Sequence, residues 1–182
     1  KIYLISALLL VSTFCYGQES PNFLWLVCED QSLFFSMYGD SSAHTPNINQ
    51  LAKDGLVYQN CHTPSPVCAP SRSSLITGMY PTTLGTQHMR AYKKSAAKNA
   101  INAHNSLPYY SAKPKKPVRF FTEDLRANGY YCSNNAKEDY NMPGSPLAWD
   151  ESSREAHWRN REEGQAFFSV FNFNITHESR IW

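Results

Sequence analysis

The sequence predicts an α/β protein with a mostly parallel central sheet and helices on both of its faces. Near-continuous apolar runs at 22–30 and 166–177 are typical of strands in a parallel sheet, and both runs end in polar residues. Between them lie helix-like segments bounded by proline and glycine, so that strands and helices alternate along the chain. We expect ligands to bind at the carboxyl edge of this sheet.

The first elements follow in the order strand, helix, strand. The segment "NFLWLVCED" at 22–30 predicts a central strand that is buried on both faces. Thr45 is the expected N-cap of a helix that has Pro46 in its first turn and ends at Gly55. The segment 56–62 is expected to return as a strand.

A short helix follows the loop "TPSPVCAP". Pro70 precedes this helix and Gly78 ends it, so we expect Cys68 on the loop that enters the helix N-terminus. The polar stretch 91–118 contains several prolines and is expected to run over the surface.

The second half of the chain predicts one more helix and two strands. The helix starts at Thr122 and ends at Gly129, and residues 130–133 follow as a strand. The run "AFFSVFNFNITH" at 166–177 predicts the strongest strand of the chain.

Length and composition fit one domain with a substantial core. The chain has 182 residues, of which 42% are hydrophobic, and no repeat or linker divides it. Its net charge is +2 with lysine and arginine largely scattered, which gives little support for nucleic-acid binding.

Residues 1–17 are expected to be a cleaved signal peptide. Lys1 precedes an apolar run that ends near Val11, and small residues follow at Cys15 and Gly17. A membrane anchor is the alternative, but the run is shorter than the roughly 20 residues that span a bilayer. We therefore expect a secreted or periplasmic bacterial protein without stable membrane insertion.

The remaining cysteines are Cys28, Cys61, Cys68 and Cys132. Their spacing allows at most one disulfide, and a zinc site lacks any CxxC or HxxxH pair. Three of them lie in apolar strand contexts and are expected in the core. Cys68 instead lies at a helix start, where a disulfide partner, a metal ligand and a nucleophile are all open interpretations.

Polar side chains follow three of the predicted strands. They are Glu29, Asp30, His62 and His177. Near them, a helix N-terminus with Cys68 and Arg72 favours a tetrahedral oxyanion. Because carboxylates beside an anion pocket need a bridging cation, the set indicates metal-assisted hydrolysis of a sulfate or phosphate ester.

The segment "CAPSR", from Cys68 to Arg72, matches the Cys-x-Pro-x-Arg signature of the type I sulfatases. "LITGMYPT" resembles that family's usual continuation, and "PNFLWLVCEDQS", "YGD" and "TPNINQLAKDGLVYQNCHTPSPVC" follow the family order from Pro21 onward. This resemblance covers essentially the whole of residues 18–182. It implies an alkaline-phosphatase-like sulfatase core.

The resemblance implies that a separate maturation enzyme oxidises Cys68 to formylglycine, whose hydrated aldehyde is the nucleophile. One hydroxyl attacks sulfur, and the second loses its proton so that sulfate leaves. The family's calcium would lie at Glu29, Asp30 and the modified Cys68, and Arg72 would hold the nucleophile. Glu29 stands where most family members have aspartate.

Further roles carry over by position. Lys137 lies where the family places a sulfate-binding lysine, although "NAKEDY" lacks the histidine of the usual "GKWHLG". His177 matches a histidine that contacts the sulfate or the leaving-group oxygen. His88 and Arg90, in "GTQHMR", are expected to contact a sugar. A solvated lysine and a strand-end hydrogen-bonding histidine are the alternatives at Lys137 and His177.

The resemblance also predicts what this chain lacks. The family takes its remaining metal ligands from a later "DHG" or "DNG" segment, so residues 18–182 are expected to be the N-terminal part of a sulfatase catalytic domain. The branch near the N-sulfoglucosamine sulfohydrolases implies sulfated carbohydrate, including glycosaminoglycan, as substrate. The alternatives are a phosphonate or phosphate ester hydrolase, and a catalytically silent fragment.

Overall fold

A computed structural model describes residues 20–89 and 111–180. The predicted signal peptide, Arg90 and the larger part of the stretch 91–118 lie outside these residues. The described part of that stretch, 111–118, contains no helix or strand, as expected for a surface segment. Within the described ranges, none of the helices has the length and apolar character that crossing a membrane requires.

A four-stranded parallel sheet with the order β1-β4-β2-β3 forms the centre of the fold. Its strands are β1 (Phe23–Cys28), β2 (Tyr131–Asn135), β3 (Glu151–Ser152) and β4 (Phe167–Phe173). The predicted parallel sheet is therefore confirmed, and the polar residues that follow β1 and β4 lie at one edge.

In the described part of the chain, four α-helices accompany the strands. They are α1 (Pro46–Asp54), α2 (Cys68–Thr77), α3 (Pro81–Leu84) and α4 (Phe121–Ala127). Short 3-10 helices lie at Ser36–Tyr38, Trp158–Asn160, Asn174–Thr176 and Glu178–Arg180. The predicted helices at 45–55 and 122–129 are confirmed within two residues.

Helical segments cover both faces of the sheet. On one face, Phe121 of α4 packs against Trp25 and Phe168, with ring centroids 5.7 and 5.2 Å apart. Leu75 of α2 faces the same side. On the other face, Trp158 of a 3-10 helix packs against the rings of β4. Apolar side chains of the first face, with Cys132, Phe168 and Val170 at the centre, form the core.

The expectation that β1 is a buried central strand is wrong for the described residues. Among these residues β1 pairs only with β4, and Leu24 and Leu26 remain 46% and 56% exposed. The interior strands are β4, which pairs with β1 and β2, and β2, which pairs with β4 and β3. A continuous apolar run predicts a strand with two apolar faces, but it does not specify the strand's order in the sheet.

The predicted strand at 56–62 is also wrong. This segment contains no strand, and Leu56 and Tyr58 are 86% and 67% exposed. Extended backbone becomes a strand only when a neighbour accepts its hydrogen bonds, and none of the four described strands pairs with this segment.

Two details of the helix starts differ from expectation. Thr45 precedes α1 without capping it, because its hydroxyl lies 2.6 Å from that of Ser36. Helix α2 begins at Cys68 itself, with Pro70 inside its first turn, where the missing N–H costs no helical hydrogen bond. Cys68 is therefore held by the helix rather than by the preceding loop.

The cysteines differ in burial. None of the four in the described ranges forms a disulfide. Cys132 is fully buried, and this burial raises the pKa of its thiol to about 12. Cys28 is half-buried, with its pKa raised for the same reason, whereas Cys61 is exposed and its predicted place in the core is wrong.

Candidate active site

The predicted site residues meet at the carboxyl edge of the sheet. Five of them line one open cleft: Glu29, Asp30, Cys68, Lys137 and His177. Parallel strands place their carboxyl ends at the same edge, so residues that follow β1, β2 and β4 become neighbours there. Helix α2 adds Cys68 from the adjoining side.

Glu29 is the most enclosed carboxylate of the cleft, with its side chain only 6% exposed. Lys137 Nζ donates a hydrogen bond to its Oε2. Arg72 Nη1 lies 3.9 Å from Oε1, and His177 Nε2 lies 3.9 Å from Oε2. The positive charges of Lys137 and Arg72 compensate the burial of this carboxylate. The contacts of Glu29 thus join the end of β1 to helix α2 and to the segments that follow β2 and β4.

Arg72 contacts backbone carbonyls of the segment that carries Lys137. Its Nε donates to the carbonyl of Glu138 at 2.9 Å, and its Nη2 donates to that of Lys137. Arg72 also lines a groove beside Cys68, together with Glu29 and Asp30. The guanidinium therefore joins α2 to the segment that carries Lys137, a contact that the sequence did not predict.

Cys68 is the first residue of α2, and Val67 precedes it without a side-chain cap. The N-terminus of this ten-residue helix favours negative charge, because its first amide groups have no partners inside the helix. Cys68 faces the cleft beside that N-terminus. The position suits a group that develops negative charge during a reaction.

His177 is held in one orientation by the segment that follows it. The amide of Ser179 donates to His177 Nδ1 at 3.2 Å, so Nδ1 is the acceptor and the proton of the neutral ring is on Nε2. That nitrogen is the one directed at Glu29. Ser179 lies outside the predicted site, and no motif pointed to it.

Asp30 adopts a positive φ of 51° and lies at the surface of the cleft. Its Oδ2 accepts a hydrogen bond of 3.0 Å from the amide of Glu178. Asp139 is a further acid that the sequence reasoning missed, with Oδ2 at 3.6 Å from Lys137 Nζ. The one sequence feature that could have indicated Asp139 as a site residue is its position two residues after Lys137.

Glu29 and Asp30 supply the hard oxygen donors that calcium prefers, and they line the same cleft. In the described ranges, no three acidic, cysteine or histidine side chains are grouped closely enough to hold a metal ion. The two carboxylates thus fit a calcium ion in kind, while its shell of about six to eight oxygens needs further donors.

The remaining predicted residues lie beside the cleft or outside the described part. His88 is held at the backbone, where its carbonyl accepts from Asn141 Nδ2, and the next residue, Met89, lines the cleft. Arg90 lies outside the described residues. His62 lines a separate groove with Ser74 and Tyr80, so its expected place at the same edge is wrong.

Comparison with known proteins agrees with this geometry. A family model described as "Sulfatase" matches residues 21–178. The chain is 48% identical over 164 residues to an ulvan-active sulfatase of Formosa agariphila, covering 90% of this chain and 26% of the relative. It is 34% identical over 79 residues to human N-acetylgalactosamine-6-sulfatase, covering 43% of this chain and 15% of the relative. The chain thus spans about a quarter or less of these relatives.

Solved structures share the fold. A protein in complex with its substrate D-glucosamine-2-N,6-O-disulfate superposes with a TM-score of 0.63 at 16% identity, over 87% of this chain and 35% of that one. A 2-O GAG sulfatase superposes with a TM-score of 0.59 at 19% identity, over 90% of this chain and 36% of that one. At these identities the likeness concerns the fold alone.

Proposed function

The chain belongs to the sulfatase family, and from this premise we propose that it forms part of an enzyme that hydrolyses sulfate esters of carbohydrates. The observation that carries the proposal is the cleft in which Cys68, at a helix N-terminus, faces Glu29, Asp30, Lys137 and His177. These groups supply a nucleophile position, cations for a tetrahedral anion and hard oxygen donors for a metal ion.

The nucleophile position is Cys68, which the proposal takes as formylglycine produced by a maturation enzyme. Hydrated formylglycine supplies one hydroxyl that attacks sulfur and a second whose deprotonation releases sulfate. The helix N-terminus at Cys68 favours the negative charge that this reaction builds up. Arg72 stabilises the neighbouring backbone and adds positive charge beside the cleft.

Lys137 and His177 take the roles of sulfate binding and proton transfer. Both side chains already direct nitrogen atoms toward Glu29 at the edge of the cleft. Lys137 Nζ would donate to a sulfate oxygen, and His177 Nε2, which carries the ring proton, would donate to the leaving-group oxygen. The Ser179 contact keeps that proton on the nitrogen that faces the cleft.

Glu29 and Asp30 would hold a calcium ion. When bound, this ion supplies positive charge that polarises the sulfate oxygens. Glu29 would have to share its carboxylate between the ion and Lys137, because Oε2 already accepts from Nζ. The Asp30 carboxylate is exposed enough to reach a ligand while it accepts from the amide of Glu178.

Charge favours sulfate over phosphate esters, which are the second candidate substrates in this superfamily. The cations Lys137 and Arg72 stand against the carboxylates of Glu29, Asp30 and Asp139. A divalent ion therefore leaves a single net positive charge on this set, which suits a monoanionic sulfate ester better than a dianionic phosphate ester.

We expect the full-length protein to hydrolyse an aryl sulfate with kcat/KM at least about tenfold above that for the matched aryl phosphate or phosphonate. Parallel initial-rate assays of one enzyme preparation measure this ratio. Faster hydrolysis of the phosphate or phosphonate would replace the sulfatase assignment by the second candidate.

The saccharide substrate is the finer part of the proposal. The likeness to an ulvan-active sulfatase and the fold shared with a protein bound to a disulfated glucosamine both support a sulfated sugar. His88 would contact the sugar, since it precedes Met89 on the cleft wall and Asn141 anchors its backbone. Arg90 is proposed for the same role. The narrower likeness to N-sulfoglucosamine sulfohydrolases, and so glycosaminoglycan as the substrate, stays a prediction.

His88→Ala should weaken activity on a sulfated oligosaccharide by about tenfold and leave hydrolysis of a small aryl sulfate within about twofold. The difference arises because an aryl sulfate fills the sulfate subsite and leaves the sugar subsite empty. His44→Ala changes an exposed histidine that does not line the cleft, so it serves as the matched control. Equal losses on both substrates would move His88 to the sulfate subsite.

A secreted or periplasmic bacterial location completes the proposal. The apolar segment within residues 1–17 supports export. The maturation enzyme would act on "CAPSR" before the chain folds, because that segment becomes the first turn of α2.

A further inference from the structure

A row of hydrogen-bonded side chains crosses the carboxyl edge of the sheet. Asn172 Nδ2 donates to Asn134 Oδ1 at 3.0 Å, and Asn134 Nδ2 donates to Ser152 Oγ at 3.0 Å. Ser152 Oγ then donates to Glu138 Oε1 at 2.8 Å. We name these four residues the edge row. Its donors all point the same way, from β4 through β2 and β3 to the segment after β2.

The inner end of the edge row is buried, and Asn134 there both accepts and donates a side-chain hydrogen bond. Asn134 is 1% exposed, and a buried amide is stable only when its donors and acceptors have partners. Asn172 also donates to the carbonyl of Asn135 at 3.0 Å, so it holds the end of β2 at both side chain and backbone. The row therefore starts where Asn172 Nδ2 joins β4 to β2, while Asn172 Oδ1 has no hydrogen-bond partner among the described residues.

The outer end of the edge row is Glu138, which directly follows Lys137. Gly144 lies so close that a Cβ there would stand 2.9 Å from Glu138 Oε2, so the partly exposed carboxylate packs against this glycine. Arg72 donates to the carbonyls of Lys137 and Glu138. The two residues are thus held by the edge row through a side chain and by Arg72 through the backbone.

We propose that Glu138 is a positioning residue for Lys137, and that the edge row aims the Lys137 ammonium group into the cleft. The carboxylate, held by Ser152, fixes the backbone from which the lysine side chain extends toward Glu29. The proposal rests on the proposed function only in assigning sulfate binding to Lys137. The geometric part stands on the contacts of the edge row.

Chemical labelling tests the positioning without any assay of activity. In Glu138→Ala, acylation of Lys137 by an N-hydroxysuccinimide ester should accelerate at least about threefold, because the side chain, 16% exposed in the native protein, is freed. Glu138→Gln keeps an oxygen that accepts from Ser152, so its rate should match that of the native protein. Exposed Lys53 is the internal reference. Unchanged labelling of Lys137 in Glu138→Ala would overturn the proposal.

Steady-state kinetics with an aryl sulfate then test the link to function. We expect Glu138→Ala to lower kcat/KM by about tenfold, Glu138→Gln to restore it, and Ser153→Ala, which lies outside the edge row, to have no effect. In a protein that already carries Lys137→Ala, adding Glu138→Ala should lower kcat/KM by less than about twofold, because the lysine that Glu138 positions is absent. A full tenfold loss in both backgrounds would show that Glu138 acts independently of Lys137.

The two experiments separate the possible failures. A native protein that hydrolyses no sulfate ester would refute the proposed function, while the labelling rates would still decide whether Glu138 positions Lys137. An active native protein with unchanged labelling in Glu138→Ala would refute the positioning role and leave the proposed function standing.

Discussion

Cys68→Ala should abolish sulfate ester hydrolysis, with kcat falling by roughly 10⁴-fold or more. The reason is that alanine offers neither a thiol for oxidation nor a hydroxyl for attack on sulfur. Every other group of the cleft remains in place, so substrate should still bind. Initial rates with an aryl sulfate, together with binding of a sulfated sugar by calorimetry, measure the two effects separately.

Mass spectrometry of the peptide that contains Cys68 provides the chemical half of this test. In protein made together with a maturation enzyme, the peptide should carry an aldehyde in place of the thiol. Cys61→Ala removes an exposed cysteine outside the cleft and is the matched control, with native activity expected. An unmodified thiol at Cys68 combined with undiminished sulfatase activity would contradict the formylglycine mechanism.

Cys68→Ser distinguishes the two hydroxyls of the proposed nucleophile. Made without a maturation enzyme, this variant keeps one hydroxyl, which attacks sulfur, and lacks the second one needed to expel sulfate. We expect mass spectrometry to find sulfate bound covalently to the substituted side chain, and we expect no turnover. Multiple turnovers by the Cys68→Ser variant would show that release of sulfate needs no second hydroxyl.

Glu29→Gln should lower kcat/KM by about a hundredfold to a thousandfold. The reason is that it removes the negative charge that pairs with Lys137 and that is proposed to ligate calcium. The carboxylate holds Lys137, and it would also ligate calcium. The neutral amide keeps the shape of the side chain but loses the charge that both tasks need. Calcium affinity from calorimetry should fall together with the activity.

Glu29→Asp separates the charge from the length of the side chain. The family resemblance places aspartate at this position in most members, so this variant should stay within about tenfold of native activity. Glu162→Gln removes a carboxylate that is exposed and outside the cleft, which makes it the matched control. Native activity and calcium affinity in Glu29→Gln would rule out both tasks.

The silent-fragment alternative makes a different prediction for the same measurement. Residues 1–182 alone supply the carboxylates of Glu29, Asp30 and Glu178 to the described part of the cleft, and a calcium ion prefers about six to eight oxygens. Without ligands from elsewhere, calcium binding by this segment should be weak. Tight calcium binding by residues 1–182 would show that these residues complete the site.

Local signals in the sequence determined most of the elements and predicted most of the candidate site residues. The apolar runs predicted β1 and β4, and proline and glycine marked the ends of α1 and the end of α2. The polar residues after the strands predicted Glu29, Asp30 and His177 as site residues, the "CAPSR" motif predicted Cys68, and all four line one cleft. Such signals are readable because they depend on a few neighbouring residues and on the period of one element.

Only the tertiary structure decided which distant groups meet. The Glu29 to Lys137 ion pair joins residues 108 positions apart, and Arg72 reaches the carbonyl of Lys137 across 65 positions. The order of the strands and the coil at 56–62 likewise depend on which neighbours each segment finds in space. A local pattern states which faces of an element are apolar or polar, whereas the partner of each face depends on how the whole sheet assembles.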